Sequence, residues 1–277
     1  MKPGAVRLNV ADLARTQEFY ERSLGLRPTD RSPELVRLGA NGSGVVELVD
    51  TPDAPPRPPG TTGLFHLAIL LPSRRDLADA LRRVLRSGGS LTGASDHLVS
   101  EALYLSDPEG NGIELYRDRQ PEDWRYANDE LQMATLPLDL EELVAESSDA
   151  DGEPAEMPHG TRIGHVHLNV SDLQRTEAFY HGLLGFDVMV RSYPGALFVS
   201  TAGYHHDLGL NTWAGQGAPP PPAGARGLNR FELLIGEPAE LGDLDRRLTA
   251  AGVETRREDG GVQVADPSGN EILIRVR

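Results

Sequence analysis

The sequence contains no cysteine, which excludes disulfides and thiolate ligands. A metal ion would have to be held by His, Asp, Glu or backbone oxygen, a donor set for hard or borderline cations. No apolar run approaches the roughly 20 residues that a membrane span needs, and Met1-Lys2-Pro3-Gly4 opens no apolar signal region. A cytoplasmic protein with no membrane partner is the expectation. Basic charge is scarce: Lys2 is the only lysine and the formal net charge is -15 at pH 7. No basic cluster with interleaved aromatics offsets that charge, which argues against a nucleic-acid partner. With 277 residues, 39% of them apolar, the chain can bury the core of two units of ordinary size.

What is present is a duplication. Leu8-Asn9-Val10-Ala11-Asp12-Leu13, continuing through Phe19-Tyr20 to Leu24-Gly25, recurs as Leu168-Asn169-Val170-Ser171-Asp172-Leu173 through Phe179-Tyr180 to Leu184-Gly185. The turn Asp107-Pro108-Glu109-Gly110-Asn111 returns as Asp266-Pro267-Ser268-Gly269-Asn270, each time before an apolar strand. Each copy of the first motif reads as a strand, an Asp cap and a helix, followed by short β-rich runs between Gly and Pro. Leu64 to Leu71 with Arg74 to Leu85, and Leu228 to Ile235 with Leu241 to Leu248, read the same way. The expectation is an α+β fold of four βαβββ modules, near residues 5–50, 64–118, 162–213 and 227–277. Residues 1–118 would form one domain and 161–277 a second. Pro55 to Pro59 and Pro219 to Pro222 read as stiff surface connectors. Residues 119–160 read as an acidic linker with a short apolar helix near Leu138 to Val144 and part of its length disordered.

Period-two alternation separates the polar strand residues from the core. His66 shares a face with Ala68, opposite Phe65, Leu67 and Ile69; Glu114 opposes Ile113 and Leu115; His165 and His167 oppose Val166 and Leu168. A single strand histidine is usually hydrogen-bonded or half exposed. Two His and one carboxylate together form the facial triad that holds Fe(II) and leaves positions open for substrate and oxygen.

The opening His-x-x-Leu-x-Val-x-Asp-Leu (His165 to Leu173) and the closing Asp-Pro-x-Gly-Asn-x-x-Glu (Asp107 to Glu114) resemble the vicinal oxygen chelate superfamily of glyoxalases, bleomycin-resistance proteins and type I extradiol dioxygenases. His97 to Pro108 resembles the dioxygenase stretch that supplies a substrate-contacting His and Tyr, here His97 and Tyr104, just before the ligand Glu. Tyr204-His205-His206-Asp207 resembles the stretch carrying the acid-base histidine, here His206. His167 and His205 are expected to line the substrate pocket. Tyr104 packed at a strand edge, and His97 or His205 at the surface, are the plainer alternatives.

The departures from the pattern are as informative. The position of His165 is Ala5 in the first module, that of His66 is Arg230 in the fourth, and that of Glu114 is Leu273. The ligands His66, Glu114 and His165 converge only if modules two and three pair, leaving modules one and four to form a metal-free barrel. The resemblance then implies a ring-cleaving extradiol dioxygenase of aromatic catabolism, using Fe(II), or Mn(II) in its place, on a small aromatic diol and O2. A glyoxalase-type lyase or isomerase would need a fourth ligand, which Asp207 cannot offer if it faces away from His206. A metal-free binding protein of the bleomycin-resistance kind would not need the triad. Exposed barrel edges associate in relatives, which leaves a homo-oligomer open.

Overall fold

The computed structural model describes residues 1–40, 43–128, 130–148 and 156–277. Residues 129 and 149–155 of the segment read as a partly disordered linker lie outside the described residues. The first module comprises β1 (Lys2–Val10), α1 (Leu13–Arg22), β2 (Arg27–Arg31), β3 (Leu35–Ala40) and β4 (Ser43–Asp50). The second comprises β5 (Gly63–Leu70), α2 (Arg74–Arg86), β6 (Gly93–Asp96), β7 (Ser100–Ser106) and β8 (Gly112–Asp118). Between the halves lie β9 (Tyr126–Ala127), β10 (Glu130–Leu131), β11 (Leu136–Pro137) and α3 (Leu140–Ala145). The third module comprises β12 (Arg162–Asn169), α4 (Leu173–Glu177) running on as a π-helix over Ala178–Leu184, β13 (Asp187–Val190), β14 (Ala196–Ser200) and β15 (Leu208–Asn211). The fourth comprises β16 (Gly227–Ile235), α5 (Pro238–Ala250), β17 (Thr255–Glu258), β18 (Gly261–Ala265) and β19 (Glu271–Val276). The fold is α+β, and each module has the βαβββ order that the repeat implies. No helix among the described residues is long and apolar enough to cross a membrane.

The motif residues have specific local tasks. Asp12 and Asp172 cap α1 and α4 by accepting the amides of Arg15 and Arg175 at 3.0 and 2.7 Å, each cap contributing about 1 kcal/mol. The repeated Asp-Pro turn is closed by its own aspartate: Asp107 accepts the amides of Glu109 and Asn111, and Asp266 those of Ser268 and Asn270. The repeated tyrosine reaches across to that turn. Tyr20 donates to Asp107 at 3.3 Å and Tyr180 to Asp266 at 3.1 Å. Burial and the facing carboxylate push both phenols far up, so they remain donors. The tie therefore joins the odd and even modules of each half.

The sheets join modules of opposite halves. One has the order β17-β18-β19-β16-β1-β4-β3-β2, from modules four and one; the other, β11-β6-β7-β8-β5-β12-β15-β14-β13, comes from modules two and three. Residues 1–118 and 161–277 thus do not each close a sheet of their own. The apolar faces of both sheets and the helices form one continuous core, including Leu8, Leu67, Ile69, Val166, Leu168 and Phe231. Each proline-rich connector is tied to the residue just before the strand that follows the other: Pro55 O accepts from Arg226 N, before β16, and Pro219 O from Thr62 N, before β5.

Two features differ from the sequence reading. Parts of the segment read as a linker are packed down: β11 pairs with β6, α3 falls at the expected short apolar helix with Leu143 buried, and Ser147 and Ser148 bond Asp79 of α2. The two-residue strands β9, β10 and β11 are too short to leave a periodic signal. Phe65 does not share the core face of Leu67 and Ile69. The β5–β12 register skips a residue between the Leu64–Leu168 and His66–His167 pairs, and the extra residue Phe65 turns outward, 41% exposed.

A matching bulge in β12 falls at Gly164, between the Ile163–Ile69 and His165–Ala68 pairs. A Cβ there would lie 1.8 Å from the Tyr116 hydroxyl oxygen and 2.9 Å from the Leu70 Cβ. Gly164→Ala is expected to destabilise by about 1–3 kcal/mol through overpacking, with a fall in Tm of roughly 2–4 °C per kcal/mol. Gly182→Ala, where the new Cβ meets nothing within 4 Å, is the control; equal thermal unfolding of the two variants would remove the steric role of Gly164.

Candidate metal centre and active-site cavity

The pairing of modules two and three sets the candidate residues in a row. Tyr104 of β7 is opposite Glu114 of β8, Glu114 is beside Ala68 of β5, and Ala68 is opposite His165 of β12. His66, on the same face two residues before Ala68, pairs with His167. With only a methyl group at Ala68, the side chains on either side of it can converge. The ligand atoms of His66, Glu114 and His165 lie within 4.8 Å of one another, and all three residues are buried. Glu114 Oε2 is 2.9 Å from His66 Nε2 and 3.2 Å from His165 Nε2.

The electrostatics suit ligation. Burial works to raise the Glu114 carboxyl, but His165 and His66, through their charge and hydrogen bonds, hold it well below the usual carboxylate range. Burial lowers His165 against the pull of Glu114. It lowers His167 and His206 further, with neighbouring imidazoles adding to the effect. An ionised Glu114 and a neutral His165 are the protonation states that a divalent cation needs. His66 Nε2 is buried, and the Glu114 carboxylate 2.9 Å away is the one group facing it among the described hydrogen bonds and ion pairs. A buried nitrogen in that condition calls for another acceptor of its lone pair, and a divalent cation among these three side chains fits. Two imidazoles and one carboxylate from one face leave further positions open.

The cavity above the triad measures about 530 Å³. His206, from the loop before β15, packs tilted against His165 with ring centroids 4.1 Å apart and lines the cavity. His97 Nδ1 is 2.7 Å from Ala134 O and its Nε2 is 2.7 Å from the Tyr104 hydroxyl. A carbonyl only accepts, so Nδ1 carries the proton and Nε2 accepts from Tyr104. His167 lines the cavity with its ring 4.8 Å from that of His66 and 5.4 Å from that of Trp213. Gly209 faces His167 across the β12–β15 pair, and a Cβ there would come 2.9 Å from the ring. His205 does not line the cavity, in contrast to the expectation of a substrate contact. It is fully buried behind His206, between His206 Nδ1 at 2.7 Å and Asp118 Oδ1 at 2.8 Å.

Several wall residues are not apparent from the strand pattern. Met133, Ala134 and Thr135, from the segment read as a linker, form one wall, and Phe65 and Trp213 pack edge to face at the mouth. The chain has only two tryptophans, and both serve this region, since Trp124 covers His205 at 5.5 Å. That scarcity was the available signal.

The corresponding cup of the other sheet is filled with ion pairs. Arg230 reaches Glu258 and Asp259 at 2.7 and 2.5 Å, Glu47 lies between Arg7 and Arg37, and Glu232 accepts from Arg275 and from the Ala5 amide. Among the described residues, His66, Glu114 and His165 are the group able to hold a metal ion.

Residues 2–115 and 162–274 match the family model of the glyoxalase/bleomycin resistance protein/dioxygenase superfamily. A catechol-2,3-dioxygenase of Bacillus subtilis (strain 168) is 42% identical over 281 residues, covering 99% of this chain and 96% of that protein. A biphenyl-2,3-diol 1,2-dioxygenase of Rhodococcus globerulus is 38% identical over 64 residues, 23% of this chain and 34% of the other. The crystal structure of glyoxalase I from Zea mays superposes with a TM-score of 0.60 at 17% identity, over 99% of this chain and 91% of that one, a likeness of fold. The chain belongs to the glyoxalase/bleomycin resistance protein/dioxygenase superfamily.

Proposed function

We propose that this chain is a ring-cleaving extradiol dioxygenase that adds both atoms of O2 to a small catechol-type diol at one Fe(II), or Mn(II), held by His66, Glu114 and His165. The observation that carries the reading is what faces the triad. In place of a fourth ligand stands the neutral imidazole of His206, 4.1 Å from the His165 ring. The Bacillus subtilis relative, similar over nearly the whole chain, is named for this reaction. Fe(II) in the triad would supply open coordination positions for diol and oxygen and a path for electrons between them.

The side chains supply positioning and proton handling. A single carboxylate among the ligands leaves net positive charge on a divalent site, which favours a diol that has lost a proton. His206, neutral in its buried setting, can take that proton at the ring nitrogen facing the cavity and return it later in the reaction. Burial and the nearby Glu114 carboxylate push the Tyr104 phenol far up, so it stays protonated and, with its hydrogen donated to His97, offers its oxygen as an acceptor to a substrate hydroxyl. His97, with its tautomer set by the Ala134 carbonyl, holds Tyr104 in place. Phe65, Trp213 and His167 offer ring edges to an aromatic substrate. The isomerase reading lacks a ligand: Asp207 is fully buried and committed to Lys2, Ser200 and the Thr201 amide.

Protein purified without oxygen is expected to carry about one divalent metal ion per chain by elemental analysis, and His165→Ala to lose it together with oxygen uptake on catechol. Absence of metal from both proteins would sink the dioxygenase reading. His206→Gln is expected to keep the metal and lower kcat by about 10²–10⁴-fold, with little change in KM. An unchanged kcat would take His206 out of the reaction.

A further inference from the structure

We infer that Asp118 and His205 are positioning residues that determine which nitrogen of His206 carries its proton, so that the bare Nε2 faces the cavity. Asp118 ends β8, on the same strand face as Glu114 and Tyr116, and its side chain is 27% exposed. A carboxylate only accepts hydrogen bonds, so His205 Nε2, 2.8 Å from Asp118 Oδ1, carries a proton. The Nδ1 atoms of His205 and His206 are 2.7 Å apart, and one must donate while the other accepts. A His205 ring bearing one proton spends it on Asp118, so its Nδ1 accepts and His206 Nδ1 donates. His206 Nε2 is then left with a lone pair, and His206 is the member of the pair that lines the cavity. The opposite arrangement would present an N–H, which cannot take a proton from a diol.

The surroundings hold this polarity in place. The Tyr204 hydroxyl is 3.1 Å from both oxygens of Asp118 and 2.8 Å from the Tyr116 hydroxyl. Since Tyr204 donates to the carboxylate, Tyr116 donates to Tyr204, and every proton in the network points toward Asp118. Trp124 closes the set, its ring 5.5 Å from His205 and 6.3 Å from Tyr204. The consequence for turnover rests on the acid-base role proposed for His206, whereas the tautomer itself does not.

The test uses the full chain loaded with Zn(II), a diamagnetic ion suited to the same donors, with ¹⁵N-labelled histidine. Long-range ¹H–¹⁵N spectra are expected to give His206 a protonated Nδ1 and a bare Nε2. In Asp118→Asn the amide oxygen keeps Tyr204 while the NH₂ donates to His205 Nε2, reversing the network and moving the His206 proton to Nε2. The same variant loaded with iron is expected to lose about 10²–10⁴-fold in kcat at unchanged KM and metal content, in line with the effect of a wrong tautomer in a His–Asp pair. A wild-type His206 protonated at Nε2 overturns the inference, as does an Asp118→Asn protein with unaltered spectrum and kcat. If the tautomers are as assigned but the wild type does not consume oxygen with catechol, the inference stands and the dioxygenase reading fails.

Discussion

The site depends on the antiparallel seam between β5 and β12. Strand residues alternate faces with a period of two, so a slip of one residue would send the histidines into the core and the leucines into the cup. The seam avoids this with two bulges, at Gly164 and Phe65, which keep Val166 and Leu168 on the core side while His66, His165 and His167 share the other. Ala68 and Gly209 are the small residues that give the imidazoles room. Each half of the chain contributes to the triad, Glu114 and His66 from one and His165 from the other, so neither half contains the triad by itself.

The duplicated scaffold thus carries two unlike cups. Both halves keep the parts that make modules: the Asp helix cap, the Asp-Pro turn, and the tyrosine that ties the helix to that turn. They differ in the cups. In the sheet of modules one and four, arginines and glutamates satisfy one another where the other sheet has histidines. A filled polar network of this kind keeps its buried charges paired and leaves none for a metal.

Much of this was legible in the sequence, for identifiable reasons. The modules follow from a repeat spanning caps and turns, and the convergence of His66, Glu114 and His165 follows from alternation plus the placement of Ala5, Arg230 and Leu273. What was hidden is what breaks period two or acts over long separations. Phe65 was assigned to the core because a bulge leaves no mark in a short apolar run. The cavity wall at Met133 to Thr135 comes from a segment without periodicity, tied down by contacts to β6 and His97. Asp118 could have been found by extending the alternation from Glu114 through Tyr116, but its link to His205 is a tertiary contact over 87 residues.

The most direct test of a single site built from both halves is the anomalous diffraction of a crystal loaded with iron or manganese under anaerobic conditions. One peak per chain is predicted, about 2.0–2.2 Å from His66 Nε2, His165 Nε2 and a Glu114 oxygen. A peak in the cup lined by Arg7, Glu47 and Arg230, or none between the two histidines, would contradict the account.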